Sequence, residues 1–199
     1  MLVLASRSPH RRAMIEAVGL TVEAEPSEID ERSVEAALGG ELGPVDLAEM
    51  LAETKAVDVA PRRPGAIVIG CDQVLELEGE VLHKAADMEA ARRRLLQLSG
   101  RTHLIHAAVV LVRDGRTLWR GVETAAMTMR TLTGAEVGRT LALSGPDVLG
   151  SVGCYQIEGP GLALFERIEG DWWTIVGLPM LPLIGALRDL GAFEENLRA

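Results

Sequence analysis

Of the chain's 20 basic residues only two, Lys55 and Lys84, are lysine; the rest are arginine. Arginine offers a planar fork. Lysine offers a compact point charge that suits a phosphate oxygen beside a metal ion. Chance in an arginine-biased chain is the plainer alternative. Asp72 follows the apolar run at 66–70. A carboxylate at such a strand end can bind a hard cation such as Mg²⁺ or take a proton from water, although an aspartate capping a turn reads the same way. Ser6, Ser8 and Arg11 surround the start of a helix, where unpaired amides and the dipole favour an anion. Arg7 and Arg12 add charge nearby, as they would on an ordinary capped helix. The acidic pair Asp30-Glu31 is the remaining candidate, with solvated loop carboxylates as its bland counterpart.

These groups need a scaffold, and the composition allows one. At 199 residues, with 48% hydrophobic and 25% charged side chains, the chain suits a single folded domain over 1–199 with a core large enough to stand without staples. The net charge of −9 argues against a general nucleic-acid binder, which needs a basic face. No run approaches the ~20 apolar residues that span a bilayer. The start MLVLASRSPHRR puts its apolar tetrad before the basic residues, the reverse of a secretory signal. A cytoplasmic protein that meets neither membrane nor nucleic acid is therefore expected. Cys71 and Cys154 are too few and too far apart for a zinc motif, and free thiols are the expectation in a reducing cytosol. His83, His103 and His106 also lack zinc spacing and read as structural or surface residues.

The patterning predicts strands at 2–5, 21–24 and 66–70, the last running into Cys71-Asp72-Gln73. Ser8 as N-cap and Pro9 at the first position open a helix that Gly19 ends. The acidic, glycine-containing stretch 28–44 reads as a loop and 45–60 as a helix. A hairpin at Glu78-Gly79-Glu80 and an amphipathic helix over 88–98 follow. Long strands near 103–112 and 119–130 turn at Asp114-Gly115, and Thr133 caps a helix reaching Ser144. A glycine-rich loop spans 149–161. A second hairpin is expected from strands near 162–168 and 172–176, with a final helix over 178–190. The order is mixed α/β, not a regular doubly wound alternation.

Five segments in order resemble the Maf family of nucleotide pyrophosphatases: LASRSPHRR at 4–12, IDE at 29–31, LAETKA at 51–56, IGCDQV at 69–74 with HK at 83–84, and LLQLSGRTH at 95–103. GCYQIEGPGLALFERIEGD and VGLP fit as well, so the resemblance runs from Leu2 to about Gly191. It implies an elongated, inosine-triphosphatase-like mixed β-sheet flanked by helices, with two lobes and a central cleft. It also implies hydrolysis of a nucleoside triphosphate to the monophosphate and pyrophosphate with a divalent cation, Mg²⁺ or Mn²⁺. By that resemblance Asp72 is the proton acceptor and Ser6, Ser8, Arg11, Lys55 and Lys84 face the phosphates. Glu31 and Asp72 are the metal ligands. Both of the chain's lysines fall on family lysine positions.

Three positions divide the family by base. The branch resembling dTTP/UTP pyrophosphatases carries Arg-Arg after the proline, a threonine after the aspartate and a glutamine in the late loop. This chain has His10, Gln73 and Glu158 there, and Ser151 where that branch has a lysine. Gln73 and Glu158 match the branch resembling 7-methyl-GTP pyrophosphatases, in which an aromatic ring usually stands at the place of His10. Glu158 can accept from the guanine N1–H and amine, and His10 can stack on a base. The expected partners are a nucleoside triphosphate and a second copy of the chain in a homodimer. The alternatives are a dTTP/UTP pyrophosphatase of the same family and a non-catalytic nucleotide-binding regulator of cell division. A kinase is disfavoured because no G-x-x-x-x-G-K-[ST] loop is present.

Overall fold

A computed structural model describes residues 1–38, 40 and 42–198. In chain order the elements are β1 (Leu2–Leu4), α1 (Pro9–Ala17), β2 (Val22–Ala24), α2 (Glu31–Ala37), α3 (Pro44–Val59), β3 (Ile67–Leu77), β4 (Glu80–Leu82), α4 (Met88–Leu98), β5 (Thr102–Arg113), β6 (Arg116–Met129), α5 (Gly134–Ser144), β7 (Phe165–Glu169), α6 (Trp172–Val176), α7 (Met180–Asp189) and α8 (Ala192–Glu195). The strands are ordered β2-β1-β3-β5-β6-β7, with β4 on β3. Parallel and antiparallel pairings coexist, so the architecture is the expected mixed α/β. No helix among the described residues is long and apolar enough to cross a membrane.

The chain divides into two compact units. The first comprises residues 1–73, 107–123 and 171–199, and the second residues 74–106 and 124–170. In the first unit β1 lies between β2 and the start of β3, both parallel to it, with Leu2 opposite Val22 and Ile67. Parallel strands covered on both faces need continuous apolar runs, which is why Leu2-Val3-Leu4 carries no polar residue. Its core gathers Leu2, Leu4, Ile15, Ile67, Ile69, Leu111 and Leu183, among others. On α3 the buried positions are Leu47, Ala48, Leu51, Ala52, Lys55, Ala56 and Val59, a helical stripe that contains one charge. The Asp114-Gly115 turn takes positive φ at both residues, 49° and 76°, as a tight hairpin requires.

In the second unit β4 pairs antiparallel with the end of β3 through the Glu78-Gly79 turn, and β7 pairs antiparallel with β6. Asp87 caps α4, accepting from the Ala90 amide at 2.7 Å. Thr133 and Glu136 form a reciprocal capping box at the start of α5. Leu95, Leu98, Met127, Val137 and Leu164 are buried there.

Three local expectations are corrected. The stretch 28–44 is not all loop: α2 forms over Glu31–Ala37 because Asp30 caps it, accepting from the Arg32 amide and from the Ser33 hydroxyl at 2.7 Å. Positions 39 and 41 of that stretch lie outside the described residues. The proposed hairpin of 162–168 with 172–176 is absent. Asp171 instead accepts from the Thr174 amide and hydroxyl and starts the short helix α6, while β7 pairs with β6. Finally, Asp72 does not sit at a strand end. β3 continues through it to Leu77, so its side chain is held by strand geometry on both sides.

Candidate active site

Lys55 and Asp72 meet because a helix lies unusually close to a strand. A Cβ added at Gly70 would stand 2.0 Å from the Ala52 carbonyl oxygen and 2.8 Å from the Ala56 Cβ. Only glycine on β3, facing alanines on α3, allows that approach. It brings the Lys55 ammonium onto Asp72 Oδ1, with Glu31 Oε1 2.6 Å from the same nitrogen. Lys55 and Asp72 are 8% and 6% exposed, whereas the Glu31 side chain is half exposed. Burial works hardest against the Lys55 charge, but the Asp72 and Glu31 carboxylates outweigh it, and the lysine pKa ends above its usual value despite the opposing Arg11 charge. The ammonium therefore persists at neutral pH.

Arg11 enters the same unit from the first turn of α1. Its Nε donates to the Gly177 carbonyl at 2.8 Å, and its Nη1 to the Cys71 carbonyl at 3.0 Å and to Ser6 Oγ at 3.4 Å. These bonds fix the guanidinium beside the peptide that precedes Asp72. Ser6 Oγ also accepts the Ser8 amide, and Ser8 Oγ accepts the Arg11 amide as the helix cap. Part of the expected anion cradle is thus spent on internal capping. Gln73 Nε2 donates to the carbonyls of Thr174 at 3.1 Å and Ile175 at 2.9 Å. His10 is exposed on α1.

Lys84 and Glu158 belong to the second unit and are exposed there. Lys84 lies on the irregular run between β4 and α4, and Glu158 lies in the turn-rich loop before β7. The structure thus brings Arg11, Glu31, Lys55, Asp72 and the two serines into one neighbourhood, with Gln73 tethered to α6. The histidines read as structural are built in: His103 Nε2 bonds the Tyr155 hydroxyl at 2.7 Å, and His106 bridges Glu76 and Thr124. Both cysteines are free and buried.

Sequence reading missed Gly70, the Gly177 carbonyl just after α6 that braces Arg11, and the α6 carbonyls that brace Gln73. Gly70 had a signal, a glycine inside an apolar strand preceded by alanines four apart at 48, 52 and 56. The α6 brace had none, because backbone carbonyls carry no side-chain signature.

No group of three or more His, Cys, Asp or Glu side chains that could hold a metal ion lies together among the described residues. Two carboxylates do converge on one cationic point, the Lys55 nitrogen. Mg²⁺ is commonly held by one or two carboxylates completed by phosphate oxygens, so Glu31 and Asp72 fit such an ion as partial ligands.

Comparison with known proteins agrees over nearly the whole chain. A protein named 7-methyl-GTP pyrophosphatase from Mesorhizobium japonicum is 59% identical over 194 residues, covering 97% of this chain and 98% of that one. One of the same name from Brucella abortus is 55% identical, covering 94% of each. A nucleoside triphosphate pyrophosphatase from Caulobacter vibrioides is 45% identical, covering 96% of each. Among solved structures, a nucleoside-triphosphatase / dITP/XTP pyrophosphatase from Mycobacterium abscessus is 19% identical and covers 72% of this chain and 92% of that one, and its TM-score of 0.39 is too low to decide anything. The family model described as Maf-like protein matches residues 1–190, a span that takes in the second unit and all of the first but its last nine residues. With that span and those identities, the chain belongs to the Maf-like protein family.

Proposed function

We propose that this chain hydrolyses a nucleoside triphosphate to the monophosphate and pyrophosphate, and that its base is guanine-like, with 7-methyl-GTP the leading substrate. The observation that carries the reading is the convergence of Arg11, Lys55, Glu31 and the buried Asp72 from four separate segments of one unit. The names of the relatives at 45–59% identity support it.

The chemistry follows from charge. A triphosphate carries nearly four negative charges, and a nucleophile reaches phosphorus only after they are offset. Lys55 supplies a permanent ammonium. Arg11 has committed Nε and Nη1 to carbonyls and Ser6, which leaves Nη2 to reach a phosphate oxygen. Lys84 is assigned the same task by the family resemblance. Asp72 Oδ1 accepts from Lys55, and Oδ2 takes the proton of the attacking water. Attack at the α-phosphorus then releases pyrophosphate. Glu31 and Asp72 would hold a divalent cation, whose chemistry is to neutralise phosphate oxygens and lower the pKa of bound water.

For the base, Gln73 is more restricted than its amide suggests. Both hydrogens of its NH₂ go to the Thr174 and Ile175 carbonyls, so it offers a substrate only an acceptor. Glu158, as a carboxylate, is also an acceptor. Guanine presents two adjacent donors, N1–H and the exocyclic amine, and suits acceptor-only groups. Uracil and thymine present one N–H flanked by two carbonyls and suit them less well. His10 is the candidate for stacking.

The test is a screen of canonical and modified nucleoside triphosphates for pyrophosphate release, with wild type beside Asp72→Asn. Removing a general base should cost about 10²–10⁴-fold in rate. Normal turnover by Asp72→Asn would overturn the assignment.

A further inference from the structure

Lys84 lies on a segment without a ladder of its own, between the end of β4 at Leu82 and the start of α4 at Met88. Two contacts within the second unit hold that segment. Arg94 Nη1 donates to the His83 carbonyl at 2.9 Å and, with its other hydrogen, to the Val152 carbonyl at 2.9 Å. Two residues on, the Ala85 amide hydrogen-bonds to Cys154, a buried non-glycine residue held at a φ of 58°. One guanidinium group and one sulfur thus staple the peptides around Lys84 to the loop that leads to Glu158. Arg94 differs from its neighbours in kind: Arg92 and Arg93 are exposed, whereas Arg94 is half-buried beside Ala91 and Leu95 on the inner face of α4. In sequence the three look like one solvated arginine run.

We propose that Arg94 is a positioning residue for nucleotide binding, fixing the Lys84 segment and the loop before Glu158 through the His83 and Val152 carbonyls. The proposal rests on the reading that Lys84 binds phosphate. Arg94 Nη1 is committed to two backbone oxygens, and through them Arg94 acts on the Lys84 segment and that loop. Its loss should loosen residues 83–87 and 151–154 together while β5 keeps its protection.

The experiment is a double-mutant cycle of Arg94→Met and Lys84→Ala, read as kcat/KM for pyrophosphate release and paired with hydrogen exchange on the single variants. Arg94→Met should lower kcat/KM roughly tenfold in the wild-type background and by less than about twofold when Lys84 is already gone, because coupled residues are not additive. Arg94→Lys, which keeps a cationic donor, should recover part of the loss. It also serves as the folded variant if Arg94→Met is unstable. Equal losses in both backgrounds, or unchanged exchange at 83–87 in Arg94→Met, would overturn the proposal while leaving Lys84 in the site. Undiminished kcat/KM in Lys84→Ala would remove Lys84 from the site and take the positioning role with it, so the two failures have separate signatures.

Discussion

Gly70→Ala is the sharpest test of how the scaffold makes the site. The new methyl would stand 2.0 Å from the Ala52 carbonyl oxygen, 3.0 Å from its carbon and 2.8 Å from the Ala56 Cβ. Real Cβ atoms essentially never come within 3.0 Å of such neighbours, so α3 must retreat by about 1 Å. Two of the three obstacles are backbone atoms, and no rotamer change relieves them. Overpacking of this kind costs about 1–3 kcal/mol, which for a chain of this length lowers the melting temperature by about 2–12 °C. Lys55 lies one residue before Ala56, so the same retreat carries it away from Asp72 and opens its 2.6 Å contact with Glu31. Misplacement by about 1 Å can cost on the order of 10²-fold in turnover. Thermal denaturation and pyrophosphate release on the purified variant measure the two effects. Gly138→Ala is the control: it lies in α5 with nothing within 4 Å of the added Cβ, and should be neutral or stabilising by about 0.5–1 kcal/mol. If Gly70→Ala melted and turned over like wild type, the close approach of α3 to β3 would not be what sets Lys55 on Asp72.

Two further perturbations concern the second unit. Burial lowers the His103 pKa from 6.5 to about 4; the protonated ring carries hydrogen on both nitrogens, and Nδ1 has no partner. Between those values the unfolded chain binds the extra proton, so stability is full above pH 6.5 and falls as pH drops towards 4, by up to about 3 kcal/mol. Urea midpoints at pH 7 and 4.5 should show a smaller acid loss for His103→Phe, and equal losses would refute the assignment. Thr133→Ala removes the cap of α5 and should cost about 0.5–2 kcal/mol. The Glu136 carboxyl, held at about 2 first by the Thr133 amide and then by its hydroxyl, should move towards ordinary values by NMR titration. An unmoved Glu136 would mean that the Thr133 amide and Arg130 hold it without the hydroxyl.

Short-range chemistry was legible wherever one residue type satisfies a local rule. Ser8 with Pro9, Thr133 with Glu136, and the two turns with positive φ followed from capping and turn preferences. The misreadings arose where a local rule had two solutions. Residues 172–176 are β-branched and aromatic enough for a strand, yet the Asp171 cap and the pairing of β7 with β6 left them to a helix. Residues 31–37 are polar enough for a loop, yet Asp30 nucleates a turn that places Glu31 against Lys55. The acidic pair Asp30-Glu31 looked like one feature, but its members do different work, one capping and one pairing.

The sequence by itself determined the inventory: two lysines among arginines, an aspartate on an apolar strand, a capped helix rich in arginine, and the ordered segments that mark the family. These are properties of residue type and spacing, which need no third dimension. Only the tertiary structure decided that Lys55 points its ammonium at Asp72 and Glu31, that Arg11 is anchored on the Cys71 and Gly177 carbonyls, that Gln73 can only accept, and that Arg94 is unlike its two neighbours. Each depends on which backbone atoms from distant segments come within hydrogen-bond reach. That reach is set by packing, such as a glycine opposite two alanines, and not by the residues that do the chemistry.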